Sequence, residues 1–188
     1  KPNKSFYEGE WPSRSLLDSV DAVILHHLPS RSIAPPLWNT ISGCIVDSRK
    51  PLFIFAGSGY SSGKAASLHN LLPHTELIEA DTEAPISLTD AGRVHPLTSP
   101  GKSPEPEWNT FPPLYVSSLP APVSGGTVLA ETEYGGRGRS RSYPVLVLQK
   151  KPLRSVLFFG QGFADWERQV RNRGSGSTAL RNLVSSGI

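Results

Sequence analysis

Two compact apolar runs, Ala22-Val23-Ile24-Leu25 and Leu52-Phe53-Ile54-Phe55-Ala56, flank a segment in which Leu37, Ile41, Ile45 and Val46 recur at helical spacing. Short apolar runs bounded by proline or glycine read as buried strands, and the intervening recurrence reads as an amphipathic helix. Pro35-Pro36 opens that helix, because proline is tolerated in a first turn, and Pro51 closes the unit. Strand, helix and strand with short links form a βαβ unit, so the two strands are expected to be parallel and joined right-handed.

Beyond this unit the periodicity weakens. Residues 16–20 read as a turn of helix, and residues 65–72 as a short helix stopped by Pro73. Residues 75–81 and 84–88 read as edge strands, and residues 127–133 as a further strand. The proline-rich stretch 95–122 carries Trp108, Phe111 and Tyr115, and reads as a long loop pinned by its aromatics. Residues 143–150 and 155–160 are two strands joined by Lys151-Pro152-Leu153-Arg154, a hairpin turn. Residues 135–141 form a glycine- and arginine-rich loop. Residues 165–185 carry helical patterning broken at Gly174-Ser175-Gly176, with Asp165 as the N-cap. No repeat or second domain is visible, so one domain over residues 1–188 is expected.

Composition adjusts this picture. Apolar content is 37%, with 18 prolines and 17 glycines, so long connections should surround a modest core. No stretch approaches the ~20 apolar residues that span a bilayer. The chain has no methionine, which marks it as an expected piece of a longer protein. The single cysteine, Cys44, excludes an internal disulfide and a cysteine-rich zinc site, and reads as a small buried apolar residue. The net charge of +3 is unevenly spread. Residues 76–107 hold seven acids and two bases, whereas residues 137–173 hold nine bases and two acids. The basic part includes Arg137, Arg139, Arg141, Lys150, Lys151 and Arg154. Such a part attracts anionic partners or is simply a solvated rim. The loop carrying Arg137, Arg139 and Arg141 is thus a candidate binder of anionic polymers. No stacking aromatics are interleaved with those arginines, so nucleic acid is not the expected partner.

The turn Gly57-Ser58-Gly59-Tyr60 follows the second apolar run, where an α/β protein usually sets its ligand or nucleophile. Ser58 is the candidate nucleophile, with His26 or His27 as its base and Asp165 as the orienting carboxylate. Gly57 and Gly59 would let backbone N–H groups face an oxyanion. The plainer alternative is a tightly packed glycine-rich turn, or an anion site without chemistry. His26 and His27 are adjacent on a strand end and point to opposite faces, so a metal site is not expected. His69 and His74 read as surface residues, and His95 as a structural cap on the long loop. A ligand pocket at the carboxyl ends of the strands would be lined by His26, Gly57, Ser58, Gly59, Tyr60 and Gln161. Trp166 is either a further ligand contact there or packing for the aromatic loop.

The order of motifs carries a resemblance. Asp21-Ala22-Val23-Ile24-Leu25 leads to a helix and to the strand ending in Gly57-Ser58-Gly59. Thr89-Asp90-Ala91-Gly92-Arg93-Val94-His95-Pro96-Leu97 follows, then Trp108 and Leu119-Pro120. Pro144-Val145-Leu146-Val147 and Val156-Leu157-Phe158-Phe159-Gly160 come last, before Asp165-Trp166. From about residue 20 to residue 184 this resembles the class I glutamine amidotransferase-like domains of large bacterial membrane proteins. The resemblance implies a flavodoxin-like, mostly parallel sheet flanked by helices, with an antiparallel hairpin near the end. It also implies an extracytoplasmic domain, periplasmic or at the cell surface, anchored by membrane segments outside this chain. True amidotransferases need a cysteine in the turn after the central strand, with a downstream histidine and glutamate. Here that turn is Gly57-Ser58-Gly59, and the last histidine is His95. The expectation is therefore a non-catalytic interaction or ligand-sensing domain, needing no cofactor, whose partner is a protein or a small molecule. A serine hydrolase using Ser58 is the alternative.

Overall fold

Leu52-Phe53-Ile54-Phe55 is buried at every position, which a strand achieves only when both of its faces are covered. The computed structural model describes residues 13–26, 35–56, 72–73, 76–98, 108, 111–121, 125–135 and 139–172. In chain order the elements begin with α1 (Arg14–Ser19), β1 (Val23–His26), α2 (Pro35–Ser48) and β2 (Leu52–Phe55). They continue with β3 (Leu77–Ala84), β4 (Ser87–Leu88), α3 (Asp90–Val94), β5 (Leu114–Pro120) and β6 (Thr127–Tyr134). β7 (Arg141–Gln149), β8 (Ser155–Phe158) and α4 (Phe163–Asn172) complete the order.

The expected βαβ unit is present: β1 and β2 are parallel, with Leu25 beside Ile54, and the fourteen residues of α2 make the crossover. β8 joins β2 on its other side, again parallel, with Leu157 beside Ile54. The hairpin of β7 and β8 turns at the predicted place, with Gln149 opposite Ser155. The helix expected over residues 16–20 starts two residues earlier, because Ser13 caps it and accepts the Leu16 N–H at 3.2 Å. The helix expected over residues 65–72 lies outside the described residues, apart from Leu72.

The six-stranded sheet runs β1-β2-β8-β7-β6-β4 and is mixed, not mostly parallel. Its first two pairings are parallel and the next three antiparallel. Connection length is the reason. The turns between β6 and β7, and between β7 and β8, are too short for the crossover that a parallel neighbour requires. What stands is an α/β fold with a parallel edge, an antiparallel edge and the C-terminal hairpin.

The long loop also hides a strand. β5 pairs antiparallel with β3 in a separate two-stranded ribbon. The two edge strands expected over residues 75–88 are instead one strand, β3, and the two-residue β4. β3 continues past residue 81 because the register shifts between Glu79 and Thr82, with Asp81 in the left-handed region at φ 45°.

Side-chain alternation assigns the two faces. Leu52, Ile54, Val147 and Leu157 pack with Trp38, Ile41 and Ile45 of α2. Phe53, Phe55, Leu146 and Phe158 pack with Val116 and Leu119 of the ribbon and with Trp108 and Trp166. The ribbon, Trp108 and Trp166 of α4 thus share the cover of this face, which a helix-flanked sheet would give to helices alone. Cys44 is buried within α2, as the composition implied.

Candidate functional site

At the carboxyl ends of the parallel strands, His26 closes β1 and lies beside Phe55, the last residue of β2. The His26 ring meets the Phe55 ring edge-on at 5.6 Å. The turn Gly57-Ser58-Gly59-Tyr60 and His27, on which the nucleophile hypothesis rests, lie outside the described residues. Gln161 follows β8 and is tied to the ribbon: its backbone N–H donates to the Tyr115 carbonyl at 2.8 Å, and its side-chain amide donates to Ser117 Oγ. Asp165 is exposed and pairs with Arg168 at 2.8 Å. It stands in the first turn of α4 and not at the cap, because the helix opens at Phe163 after Gly162, whose φ is 67°. Trp166 is 2% exposed and belongs to the core. Its indole N–H donates to the Pro112 carbonyl at 2.8 Å, and its ring stands edge-on to Phe111 at 5.2 Å.

A second site lies at the opposite end of the same strands. A cavity of about 500 Å³ opens where β2 and β8 begin and β7 ends. Its polar lining is His95, Lys150, Arg154 and Ser155, and its apolar walls include Leu52, Leu97, Leu148 and Val156.

Three separate segments build this cavity. α3 begins at Thr89, whose hydroxyl accepts the Gly92 N–H at 3.1 Å and donates to the Val128 carbonyl at 2.6 Å. That cap seats the helix on β6 and delivers His95 just past its end. His95 Nδ1 accepts the Leu97 N–H at 3.2 Å, so the neutral ring carries its proton on Nε2. Burial, and then the charge of Lys150, hold the His95 pKa below the ordinary 6.5. Lys150 and Arg154 stand at the two shoulders of the β7–β8 turn. Gln149 Nε2 donates to the Lys151 carbonyl at 2.7 Å, and Leu52 N–H to the Arg154 carbonyl at 3.0 Å, which fixes the turn against β2. Ser155 is 1% exposed, and its Oγ has no hydrogen-bond partner among the described residues.

The sequence names three of these residues without joining them, His95 as a cap and Lys150 and Arg154 as part of a basic rim, and passes over Ser155 as the start of a strand. A serine opening an apolar strand directly after an arginine-bearing turn is the signal that could have drawn them together. Among the described residues, no group of three or more His, Cys, Asp or Glu side chains could hold a metal ion. No helix among them is long and apolar enough to cross a membrane. No family model, curated protein or solved structure matches the chain.

Proposed function

We propose that this chain is a ligand-binding domain without catalytic turnover, a sensing or interaction module on the amidotransferase-like plan. The observation that carries the reading is the cavity at His95, Lys150, Arg154 and Ser155. Its polar groups are arranged to donate, and Ser155 Oγ meets no base at hydrogen-bond distance. A serine without such a base is a poor nucleophile but a ready donor to a ligand oxygen. The element Thr89-x-x-Gly92-x-x-His95-Pro96-Leu97, which carries much of the resemblance, supplies one wall of that cavity. On the same resemblance, the proposal extends to an extracytoplasmic domain of a bacterial protein anchored in the membrane through segments outside this chain. Reporter fusions of opposite compartment preference test that extension in the full-length protein.

A hydrolase using Ser58 is the second reading, favoured by one observation: His26 ends β1 beside Phe55, three positions before Ser58. An anionic-polymer site on the β6–β7 loop draws on the exposure of Arg139 and Arg141. Two measurements separate the first two readings. One is hydrolysis of p-nitrophenyl acetate by the wild type and by Ser58→Ala. The other is a backbone-amide NMR survey with a panel of small molecules. The binding reading expects no Ser58-dependent turnover, and shifts concentrated at Leu97, Lys150 and Ser155. Turnover that Ser58→Ala abolishes would give the site to the carboxyl edge and to chemistry.

A further inference from the structure

We infer that the cavity at the amino ends of β2 and β8 binds a small amphipathic oxyanion, a phosphate or carboxylate head on an apolar body. The inference rests on the binding-domain reading and narrows it to a ligand chemistry.

Charge comes first. His95, Lys150 and Arg154 line one cavity, and no acid among the described residues lines it with them. The Lys150 ammonium and the Arg154 guanidinium form no ion pair or hydrogen bond among the described residues. Basic side chains on a protein surface ordinarily sit among opposite charges or in open water. Here the two exposed cations border the apolar side chains of Leu52, Leu97, Leu148 and Val156 in one cavity. The mutual repulsion registers on His95, whose proton affinity Lys150 lowers. An anion bound among the three groups relieves that repulsion.

The second observation is independent of charge. The Ser155 hydroxyl is buried without a partner, although buried polar groups are ordinarily paired. A hydroxyl lining a basic cavity has a natural acceptor in an oxyanion oxygen. Arg154 adds a planar fork suited to two oxygens at once, Lys150 a compact charge, and His95 an Nε2–H. One head group with two or more oxygens satisfies these donors together. A metal ion does not fit, since His95 is the one metal-ligating side chain in the lining, beside two cations and a hydroxyl. The size and the mixed lining match small-molecule sites, which are mostly apolar with a few convergent polar groups. The apolar walls require that the ligand carry an apolar body behind its head.

The test uses four probes: inorganic phosphate, phenyl phosphate, benzoate and benzyl alcohol. Binding is followed by calorimetry and by amide NMR. Phenyl phosphate and benzoate are expected to saturate with shifts at Leu97, Lys150 and Ser155. Whichever of the two binds tighter identifies the head as phosphate or carboxylate. Phenyl phosphate should bind about tenfold tighter than inorganic phosphate, because its ring is buried against the leucines. Lys150→Gln and Arg154→Gln should each weaken binding by about tenfold or more, as expected for hydrogen bonds to a charged group. Both side chains are exposed enough for the variants to fold. Arg14→Gln should change nothing, since Arg14 pairs with Asp47 at 3.5 Å beside α2. Benzyl alcohol binding as tightly as benzoate would overturn the anion inference while leaving a ligand-binding cavity. Shifts confined to His26 and Gln161, or no shifts, would overturn the cavity as the site. Release of phenol from phenyl phosphate, lost in Ser155→Ala, would instead overturn the non-catalytic reading.

Discussion

Gly92 packs so closely on Leu129 that a Cβ at position 92 would lie 1.9 Å from the Leu129 carbonyl oxygen. The approach is what lets a five-residue helix, too short to be stable alone, lie flat on β6. Thr89 completes the seat from the other end of the turn. Gly92→Ala forces a methyl group against the Leu129 backbone and should cost about 3 kcal/mol of unfolding free energy. Denaturant titration of the variant checks the figure. A loss within about 0.5 kcal/mol of zero, the range of an ordinary surface change, would mean that α3 is not held by this contact.

Trp166 and Trp108 each spend the indole N–H on a backbone carbonyl, of Pro112 at 2.8 Å and of Thr98 at 2.9 Å. These bonds pin the proline-rich passage to the sheet and to α4. Trp166→Phe keeps most of the apolar volume but leaves the Pro112 carbonyl without that donor. A loss of about 1–2 kcal/mol in unfolding free energy is expected. Trp166→Ala should cost about 3–5 kcal/mol through the cavity it opens. Neither change should weaken phenyl phosphate binding in protein that remains folded. A selective loss of affinity in Trp166→Phe would return this residue to the ligand contacts.

Much of the fold was legible in local pattern. Leu52–Phe55 announces a doubly covered strand, Pro35-Pro36 a helix start, and Lys151-Pro152 the turn of a hairpin. β5 was obscured for a physical reason. Leu114-Tyr115-Val116 alternates with period two, but Pro112, Pro113 and Pro120 bracket it and resemble loop punctuation. Proline is tolerated there because β5 belongs to a two-stranded ribbon and has an edge. The predominance of antiparallel pairing was only half visible: the short turn predicts the β7–β8 hairpin, but the pairing of β6 with both β7 and β4 depends on which strands meet. The cavity depends on meetings between residues 95, 150 and 155, and no local window contains all three.

His95 should titrate below 6.5 in the folded chain, because burial and then Lys150 disfavour its charged form. The other charges near it are Arg154, across the cavity, and the Arg93–Asp90 pair on its own helix. The unfolded chain binds this proton first as pH falls. The contribution to stability is therefore complete above 6.5 and is lost as pH drops through 6.5 toward the folded value. Replacing His95 with Gln should flatten stability over that window. Lys150→Gln should raise the His95 pKa seen by NMR, because one of its two depressing causes is gone. Bound benzoate, whose carboxylate stays ionised over this range, should raise it further, so benzoate affinity should increase as pH falls below neutral. An affinity that rises with pH over the same range would contradict an anion beside His95.

Ser155 offers the most discriminating substitution, because stability and binding should move in opposite directions. Its hydroxyl is enclosed at the first position of β8, between Leu52 and Gln149 in register, and has no partner among the described residues. A buried unpaired hydroxyl costs about 1–3 kcal/mol, and Ser155→Ala removes it with little change of shape. The free protein should therefore gain about 1 kcal/mol, equivalent to about 2–4 °C in Tm for a domain of this size. Phenyl phosphate should lose affinity in the same variant, by about tenfold, as for one hydrogen bond to a charged group. Scanning calorimetry without ligand and titration with it measure the two effects separately. A residue retained only for packing would show the gain in stability without the loss of affinity, and one paired through ordered water would lose stability on substitution. Only a donor held open for a ligand oxygen combines a more stable free protein with weaker binding.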